Sequence, residues 1–274
     1  MPQSGIVRIA FIGLGEVGQC FSAGLLRSGG VAITAYDLIF DDPSLGRERM
    51  AIAQAIGVTP SSTAAAACRE AGIVVCAVTA DAVETAAMEA GQYLSPAQIF
   101  FDVNSAAPST KQRAAAHILA AGARYVEGAI MAPVTGAGIG VPILAGGPVA
   151  ADLARLLNNL GMNVTPVSAE YGKASTIKLC RSIVIKGLET LVIDCAAAAR
   201  QTGVEREVFS SLAETFSSID WASLADSMTA RVAKHGRRRA SEMREAADML
   251  AELEIDPALA RAVAEAQMRG AGRP

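Results

Sequence analysis

Cationic and hydroxyl side chains recur at helical spacing in the segment YGKASTIKLCRSIVIKGLETL. Positions i, i+4 and i+11 share one face of an α-helix, so Lys178, Ser182 and Glu189 lie on one stripe, with Arg181 and Lys186 beside it. A lysine in a partly dehydrated site has its ammonium form disfavoured, which makes it a usable acid or base. Arg181, Lys186 or both could hold a substrate carboxylate. A solvated helix face with a Lys186–Glu189 ion pair fits the periodicity equally well.

A glycine-rich turn follows the first apolar run, in the string IVRIAFIGLGEVG. Gly13, Gly15 and Gly18 have the G-x-G-x-x-G spacing of dinucleotide-binding turns, which permits a tight turn, close approach of a pyrophosphate, and close helix–strand packing. Asp37 ends the next predicted strand, where a carboxylate can bind the ribose hydroxyls and repel a 2′-phosphate. The motif therefore predicts NAD, with NADP less favoured. The alternative is a glycine-rich turn in an unrelated α/β domain.

β-Branched runs alternate with Ala-rich amphipathic runs in the first half of the chain, which is typical of βαβ units and a parallel sheet. Strands are predicted at 6–12, 31–37, 72–78, 98–103 and 124–129, with VPILAGG and MNVTPVS as two more at the sheet edge. Helices are predicted at 16–28, 47–56, 62–70, 81–90 and 109–121. The predicted fold class is α/β, an N-terminal doubly wound Rossmann sheet with a C-terminal all-helical domain.

The pattern changes at about Ala169, where β-branched clusters thin out and helical spacing continues with few breakers. The predicted domains are a dinucleotide-binding domain at 1–168 and a helical substrate and dimerisation domain at 169–274. Lys178 would then lie near the cleft between them, a favoured place for ligands. Long helices with Ala, Leu and Met faces would expose much apolar surface in a lone second domain, so we expect a homodimer.

Composition and charge exclude several classes of partner and site. The net charge of −3 gives no electrostatic footprint for nucleic acid, and no apolar run is long enough to cross a bilayer. The N-terminal sequence lacks the features of a secretory signal, so the cytoplasm is the expected compartment. The five cysteines form no C-x-x-C pair, and His117 and His235 are not at ligand spacing, so no metal site is expected.

Three segments together resemble the signatures of the β-hydroxyacid dehydrogenase superfamily, which includes 6-phosphogluconate and 3-hydroxyisobutyrate dehydrogenases. These segments are FIGLGEVG, FFDVNSAAPST and GKASTIKLCRS. The C-terminal HGRRRASEMREAADMLAELEIDP resembles a bacterial subgroup of phosphogluconate-dehydrogenase-like proteins. The resemblance implies that Lys178 is the catalytic lysine, that Ser182 replaces the asparagine four residues on, and that Asn104 and Ser105 contact the nicotinamide.

The substrate-binding stretch of that superfamily is replaced here by VEGAIMAPVTGAG. Counting from the strand places Met131 at the usual serine, whereas matching APVTG places Thr135 there, and the count favours Met131. A methionine would make that wall of the pocket more apolar. A phosphorylated sugar acid is not expected, because the full basic set for a phosphate and a carboxylate is missing. Arg238 and Arg239 are weaker candidates for contacts with ligand.

The resulting hypothesis is hydride transfer between NAD and a small β-hydroxy acid, or its semialdehyde or keto form, with Lys178 as the proton acceptor and Ser182 beside it. Reduction of an imine or an unusual keto acid is one alternative, and a non-catalytic dinucleotide-binding redox sensor is another. Substrate contacts are predicted at Met131, Thr135, Arg181 and Lys186. Cofactor contacts are predicted at Gly13, Gly15, Glu16, Val17, Gly18, Asp37, Val78, Asn104 and Ser105.

Overall fold

The computed structural model describes residues 5–272, and the chain divides into two compact units, Met1–Lys178 and Leu179–Pro274. The predicted boundary after residue 168 precedes this division. The difference arises because the first turn of the helix that begins at Lys173 is hydrogen-bonded to the sheet of the first unit. Lys178 is therefore the last residue of the unit that contains the sheet.

An eight-stranded sheet forms the centre of the first unit. Its strands are β1 (Val7–Ile12), β2 (Val31–Tyr36), β3 (Thr59–Pro60), β4 (Ile73–Cys76), β5 (Ile99–Asp102), β6 (Arg124–Ile130), β7 (Pro142–Gly146) and β8 (Asn163–Ser168). The spatial order is β3-β2-β1-β4-β5-β6-β7-β8, and every pair is parallel except β6 with β7. The predicted doubly wound Rossmann sheet is confirmed, with one antiparallel step that the sequence pattern did not indicate.

Seven helices connect the strands within the described part of this unit. They are α1 (Glu16–Ser28), α2 (Gly46–Ala55), α3 (Ala64–Cys68), α4 (Val83–Ala90), α5 (Pro108–Ala120), α6 (Val134–Ala137) and α7 (Ala150–Asn159). The first five match predicted helices to within a few residues. The short α6, the amphipathic α7 and the two-residue β3 were not predicted.

The sheet is apolar on both faces. In β1, Ile9 and Phe11 belong to one core cluster and Ala10 and Ile12 to the other, since successive side chains point to opposite faces. The same alternation separates the fully buried Phe100 and Phe101 in β5. Burial of each such aromatic side chain contributes about 1.5–3 kcal/mol. A sheet covered on both sides is a firm support for the loops at its edges.

The second unit is helical. Its helices are α8 (Lys173–Thr202), which starts in the first unit, α9 (Glu205–Thr215), α10 (Trp221–Glu252) and α11 (Ala258–Gly270). Helices α10 and α11 approach closely at Gly236, where an added Cβ would lie 2.3 Å from the Gln267 carbonyl oxygen. Met243 and Val263 belong to the core cluster that these helices share. None of the described helices is long and apolar enough to cross a membrane.

Three ion pairs, each with at least one buried partner, link α8 to α10 within this unit. Lys186 Nζ lies 2.8 Å from Glu242 Oε2 and also donates a hydrogen bond to Ser182 Oγ at 2.9 Å. Glu189 is fully buried and is paired with both Arg231 and Arg239. Charges taken out of water need a partner, and here each helix neutralises charges of the other.

A side-chain amide extends this buried polar network to α11. Gln267 is almost fully buried, accepts a hydrogen bond from Arg239 Nε at 3.3 Å and donates one to the Lys186 carbonyl oxygen at 3.4 Å. Burial lowers the pKa of Lys186, while the adjacent Glu242 carboxylate acts in the opposite direction. The network therefore joins three helices through paired charges in a largely apolar surrounding.

Removing one member of the Lys186–Glu242 pair should destabilise the helical unit. Lys186→Met removes the cation that lies 2.8 Å from the mostly buried Glu242 carboxylate, and we expect a loss of about 2–4 kcal/mol in the free energy of unfolding, measured by urea denaturation. The double variant Lys186→Met/Glu242→Leu should recover most of that loss. The exposed Arg155–Asp152 pair is the matched control, and Arg155→Ala should change stability little. Equal losses for Lys186→Met and Arg155→Ala would contradict a stabilising role for the buried pair.

Candidate functional site

Five parallel strands of the first unit, β1, β2, β4, β5 and β6, end at the same edge of the sheet, and predicted cofactor and substrate residues lie in the loops that follow them. Parallel neighbours end at the same edge, and the order of the strands reverses between β1 and β4, which is where α/β sheets bind ligands. The residues in the loops just after β1, β2, β4, β5 and β6 are Gly13, Asp37, Val78, Asn104 and Met131.

The three glycines of the turn after β1 are surrounded differently. Gly13 has φ +88°, and a Cβ on it would lie 2.4 Å from the Ala77 carbonyl oxygen in the loop after β4. A Cβ on Gly18 would lie 2.5 Å from the Gly13 carbonyl oxygen. Gly15 has φ −72° and is exposed, and a Cβ there would meet no atom within 4 Å. Packing thus requires glycine at positions 13 and 18, whereas the space beside Gly15 is open to a ligand.

The N-terminus of α1 lies next to this open space. Gly15 is its N-cap and makes no side-chain capping bond, so the first-turn N–H groups, which include those of Glu16 and Val17, have no acceptor within the helix. Such N–H groups and the positive end of the helix dipole suit a pyrophosphate. The local structure therefore agrees with the predicted phosphate turn.

Asp37 connects the ends of β1 and β2. Its Oδ2 accepts a hydrogen bond from the Leu14 N–H at 2.6 Å, and its Oδ1 accepts one from the Ile39 N–H at 3.0 Å. A carboxylate oxygen can accept a second hydrogen bond, so Asp37 can still bind two ribose hydroxyls. Its backbone contacts also hold it beside the glycine turn.

The loop after β5 is held by a buried ion pair. Lys111 Nζ lies 2.8 Å from Asp102 Oδ1, and both side chains are fully buried. Asp102 Oδ1 also accepts hydrogen bonds from the Asn104 N–H at 3.0 Å and from Asn104 Nδ2 at 2.6 Å. The buried Tyr125 hydroxyl donates to Asp102 Oδ2 at 2.7 Å, and burial raises the pKa of that phenol well above its usual value. Asp102 thus fixes the backbone that carries Asn104 and Ser105.

Ser105 has a hydroxyl that is buried and without a hydrogen-bond partner among the described residues. Buried polar groups are almost always paired in native proteins, so this hydroxyl is available to a ligand at the sheet edge. Together with the open space at Gly15 and the uncapped α1, this hydroxyl gives the edge of the sheet a donor set that fits a nicotinamide dinucleotide.

The first turn of α8 is attached to the sheet at β6. Glu127 is fully buried, and its carboxylate accepts hydrogen bonds from the Ala174 N–H at 2.8 Å and from the Ser175 hydroxyl at 3.1 Å. Lys178 lies one turn further along the same helix and is half-buried. The predicted catalytic lysine and the predicted nicotinamide loop are therefore both carried by the first unit.

The other predicted residues of α8 lie in the second unit. Arg181 is exposed. Ser182 and Lys186 are buried and hydrogen-bonded to each other, and Lys186 is also paired with Glu242. The Lys186–Glu189 pair that the periodicity left open does not form, because Glu189 binds Arg231 and Arg239.

The remaining predicted residues differ in how far their side chains are buried. Met131 directly follows β6 and is half-buried, and its N–H donates to the Pro142 carbonyl oxygen at 2.9 Å. Thr135 lies on the short α6 and is exposed. Arg238 is exposed, whereas Arg239 is mostly buried against Glu189. The described residues include no group of three or more His, Cys, Asp and Glu side chains that could hold a metal ion.

Four buried polar residues next to the site were not identified from the sequence. For the three that lie in strands, the available signal was a charge or a phenol inside an otherwise apolar strand, as in IFFD and RYVEGAI, whereas Lys111 lies on α5. Such a residue must find a buried partner, but the sequence does not say which one. These residues are Asp102, Lys111, Tyr125 and Glu127.

Substitution of two glycines should separate packing from ligand binding. Gly13→Ala places a Cβ against the Ala77 carbonyl at a positive φ, so we expect a loss of about 1–3 kcal/mol in the free energy of unfolding. Gly15→Ala should unfold like the wild type, because its conformation suits alanine, yet it should weaken NADH binding at least about tenfold by blocking the approach of phosphate. Thermal denaturation and NADH fluorescence titration measure the two effects. Unchanged NADH affinity in Gly15→Ala would contradict the phosphate turn.

Two family descriptions match the sequence. Residues 8–168 match the family described as the NAD binding domain of 6-phosphogluconate dehydrogenase. Residues 199–269 match a family described as a domain of unknown function. The first match covers more than half of the chain and spans all eight strands except the first residue of β1.

Solved structures with the same architecture cover almost the whole chain. A conserved hypothetical protein from Sinorhizobium meliloti 1021 is 38% identical, with a TM-score of 0.85 over 97% of this chain and 89% of its own. A conserved protein of unknown function, described as structurally similar to 3-hydroxyacid dehydrogenases, is 31% identical, with a TM-score of 0.80 over 96% of both chains.

Two enzymes share the fold at lower identity. The 3-hydroxyisobutyrate dehydrogenase of Mycobacterium tuberculosis, in a structure with L-serine, is 18% identical, with a TM-score of 0.79 over 96% of this chain and 93% of its own. An imine reductase from Streptomyces aurantiacus is 19% identical, with a TM-score of 0.58 over 96% of this chain and 93% of its own. The glycine turn, the sheet edge and the sequence match agree, and this chain belongs to the family described as the NAD binding domain of 6-phosphogluconate dehydrogenase.

Proposed function

We propose that the protein oxidises a small β-hydroxy acid, or reduces the corresponding semialdehyde or keto form, with a nicotinamide cofactor. The observation that carries this proposal is the buried, unpartnered Ser105 hydroxyl, at the same sheet edge as the open space at Gly15. The family membership and the half-buried Lys178 support it. When bound, the nicotinamide supplies the redox chemistry.

Lys178 is the proposed acid–base group. In the oxidising direction its neutral amine takes the hydroxyl proton while the carbinol C–H bond breaks and the C=O bond forms; in the reducing direction its ammonium returns that proton. Asn104 and Ser105 orient the nicotinamide amide and the substrate. Met131 follows β6 at the same sheet edge and gives the substrate pocket an apolar wall.

The cofactor we propose is NAD rather than NADP. Asp37 is held at the end of β2 by two backbone N–H groups, and a carboxylate there repels a 2′-phosphate. The next five residues, LIFDD, contain no cation that could compensate. Five free thiols are consistent with a reducing compartment, and we propose the cytoplasm.

Imine or unusual keto-acid reduction is the second candidate function. The observation that favours it is the rebuilt pocket, with Met131 and Ser182 at positions where the superfamily pattern has serine and asparagine. The Ser182 hydroxyl accepts a hydrogen bond from Lys186, which changes what it can offer a substrate. A redox sensor that binds NADH without turnover is the candidate from another class.

Lys178→Ala tests the catalytic role. We expect kcat to fall by a factor of about 10²–10⁴ with unchanged NADH affinity, since the proton acceptor is removed while the glycine turn and Asp37 are unchanged. The measurement is NADH absorbance with a panel of 3-hydroxyisobutyrate, 3-hydroxypropionate and 3-hydroxybutyrate. The control is Lys173→Ala, an exposed lysine of the same helix that is paired at the surface with Glu170.

The outcomes separate the candidate functions. Turnover of a hydroxy acid that depends on Lys178 supports the dehydrogenase. NADH binding with turnover of cyclic imines alone supports the second candidate, and NADH binding without any turnover supports the sensor. Wild-type turnover in Lys178→Ala would exclude this lysine as the acid–base group.

A homodimer formed through the helical unit is also proposed. Val184, Leu188 and Leu191 share one face of α8 and have 66%, 39% and 69% of their surface exposed. An exposed apolar stripe of this kind is typical of a protein–protein interface.

Leu191→Glu tests the dimer. A charge on the apolar stripe should convert a dimer into a monomer at micromolar concentration, as measured by light scattering. Leu259→Glu is the matched control, because Leu259 of α11 is 71% exposed but lies outside the stripe. A wild-type protein that is already monomeric would contradict the proposal.

A further inference from the structure

Two buried carboxylates lie side by side in the sheet of the first unit. Asp102, the last residue of β5, is in register with Glu127 of β6, and both side chains are fully buried. Asp102 is neutralised by Lys111 and holds the loop of Asn104 and Ser105. Glu127, beside it on the neighbouring strand, contacts α8.

The contacts of Glu127 are to the start of α8. Its Oε1 accepts from the Ala174 N–H at 2.8 Å, and its Oε2 accepts from the Ser175 hydroxyl at 3.1 Å. First-turn N–H groups lack partners within a helix and form the positive end of its dipole. A buried carboxylate at this position holds the first turn by charge as well as by hydrogen bonds.

The segment that leads into α8 has little freedom to move. Gly172 has φ +94°, and a Cβ on it would lie 3.2 Å from the Pro108 Cβ of α5. The Tyr171 ring packs edge-on against Tyr125 at a centroid distance of 5.4 Å, and Gln112 Nε2 donates to the Tyr171 carbonyl oxygen at 3.2 Å. The start of the helix is therefore fixed by α5 and β6 together.

Lys178 follows Ala174 by one helical turn. A helix transmits a shift or rotation of its first turn to the next one, because each residue advances the backbone by a fixed rise and angle. A displacement of about 1 Å at a reacting group can lower a rate about a hundredfold. We infer that Glu127 is a positioning residue that, by holding the first turn of α8, sets the place of Lys178 relative to the loop of Asn104 and Ser105; the inference rests on the proposed function.

Stability alone does not explain a carboxylate at this position. A charge in a buried site costs free energy, and burial raises the pKa of Glu127 despite its hydrogen bonds. A raised pKa means that the folded protein binds this proton more tightly than the unfolded chain does. Protonation of Glu127 therefore contributes to the free energy of unfolding. This contribution is fully present below the pKa of the carboxyl in the unfolded chain, and it is lost as pH rises through its pKa in the folded protein. The titratable groups that face Glu127 from α5, β5 and β6 are Lys111, Asp102 and Tyr125.

The test compares the wild type with Glu127→Gln, Ser175→Ala and Thr176→Val, without substrate or cofactor. Thr176→Val is the matched control, because the Thr176 hydroxyl lies in the same turn but donates to the Gly172 carbonyl oxygen at 2.8 Å and not to Glu127. Amide hydrogen exchange is followed by mass spectrometry over residues 171–178 and over the whole chain. Acetylation by acetic anhydride is measured at Lys178, with the exposed Lys173 as the internal reference.

We expect local effects in both variants that weaken the Glu127 contacts. Exchange at the Ala174 amide should be about tenfold faster in Glu127→Gln, and the Lys178 to Lys173 acetylation ratio should change severalfold. Ser175→Ala should change both in the same direction by less, and Thr176→Val should match the wild type. As pH rises, the melting temperature of the wild type should fall relative to that of Glu127→Gln.

Three results would overturn the inference. The first is that Glu127→Gln shows the same amide exchange and acetylation as the wild type. The second is that Thr176→Val changes both as much as Glu127→Gln does. The third is that exchange in Glu127→Gln is faster over the whole chain and its melting temperature is lower, which would indicate a purely structural role. Should Glu127→Gln not fold, the comparison of Ser175→Ala with Thr176→Val decides the question by the same criteria. None of these readouts requires turnover, so failure of the inference is distinguishable from failure of the proposed function, which Lys178→Ala tests.

Discussion

Charges buried at the ends of β5 and β6 determine how the first unit can be built. Asp102 and Glu127 are adjacent in the register and have no access to water, so each needs its own partners. Asp102 obtains them from Lys111, Tyr125 and Asn104, and Glu127 obtains them from the first turn of α8. The requirement to satisfy two carboxylates thus connects a loop, a neighbouring helix and the helix with Lys178 to one sheet edge.

Buried charges of the helical unit are also paired, with a cation and an anion of α8 each bound to opposite charges of α10. Lys186 of α8 is neutralised by Glu242 of α10, and Glu189 of α8 by Arg231 and Arg239 of α10. Because a buried charge without its partner is costly, such pairs favour the one register of the two helices in which the charges meet. Cations that at first suggest a ligand site therefore also serve as internal links between helices.

The glycine turn shows how packing and binding divide a short motif. Gly13 and Gly18 are required because backbone carbonyl oxygens lie where a Cβ would be, whereas Gly15 is surrounded by open space. Only a glycine that packing does not require, such as Gly15, directly indicates a ligand. The unpartnered Ser105 hydroxyl gives the same indication independently, from a loop on the other side of the reversal in strand order.

The sequence by itself determined the doubly wound sheet, the helical second half, the glycine turn and the family, because strand and helix periods and glycine spacing are local properties. It placed α1 at the residues where the structure has it, and missed β3 because two residues show no period. The antiparallel β7 and the partners of Lys186, Asp102 and Glu127 were decided only by the tertiary structure. Pairing of buried charges depends on which elements become neighbours, and residues 47 or 56 positions apart in the chain become neighbours only when the whole fold is in place.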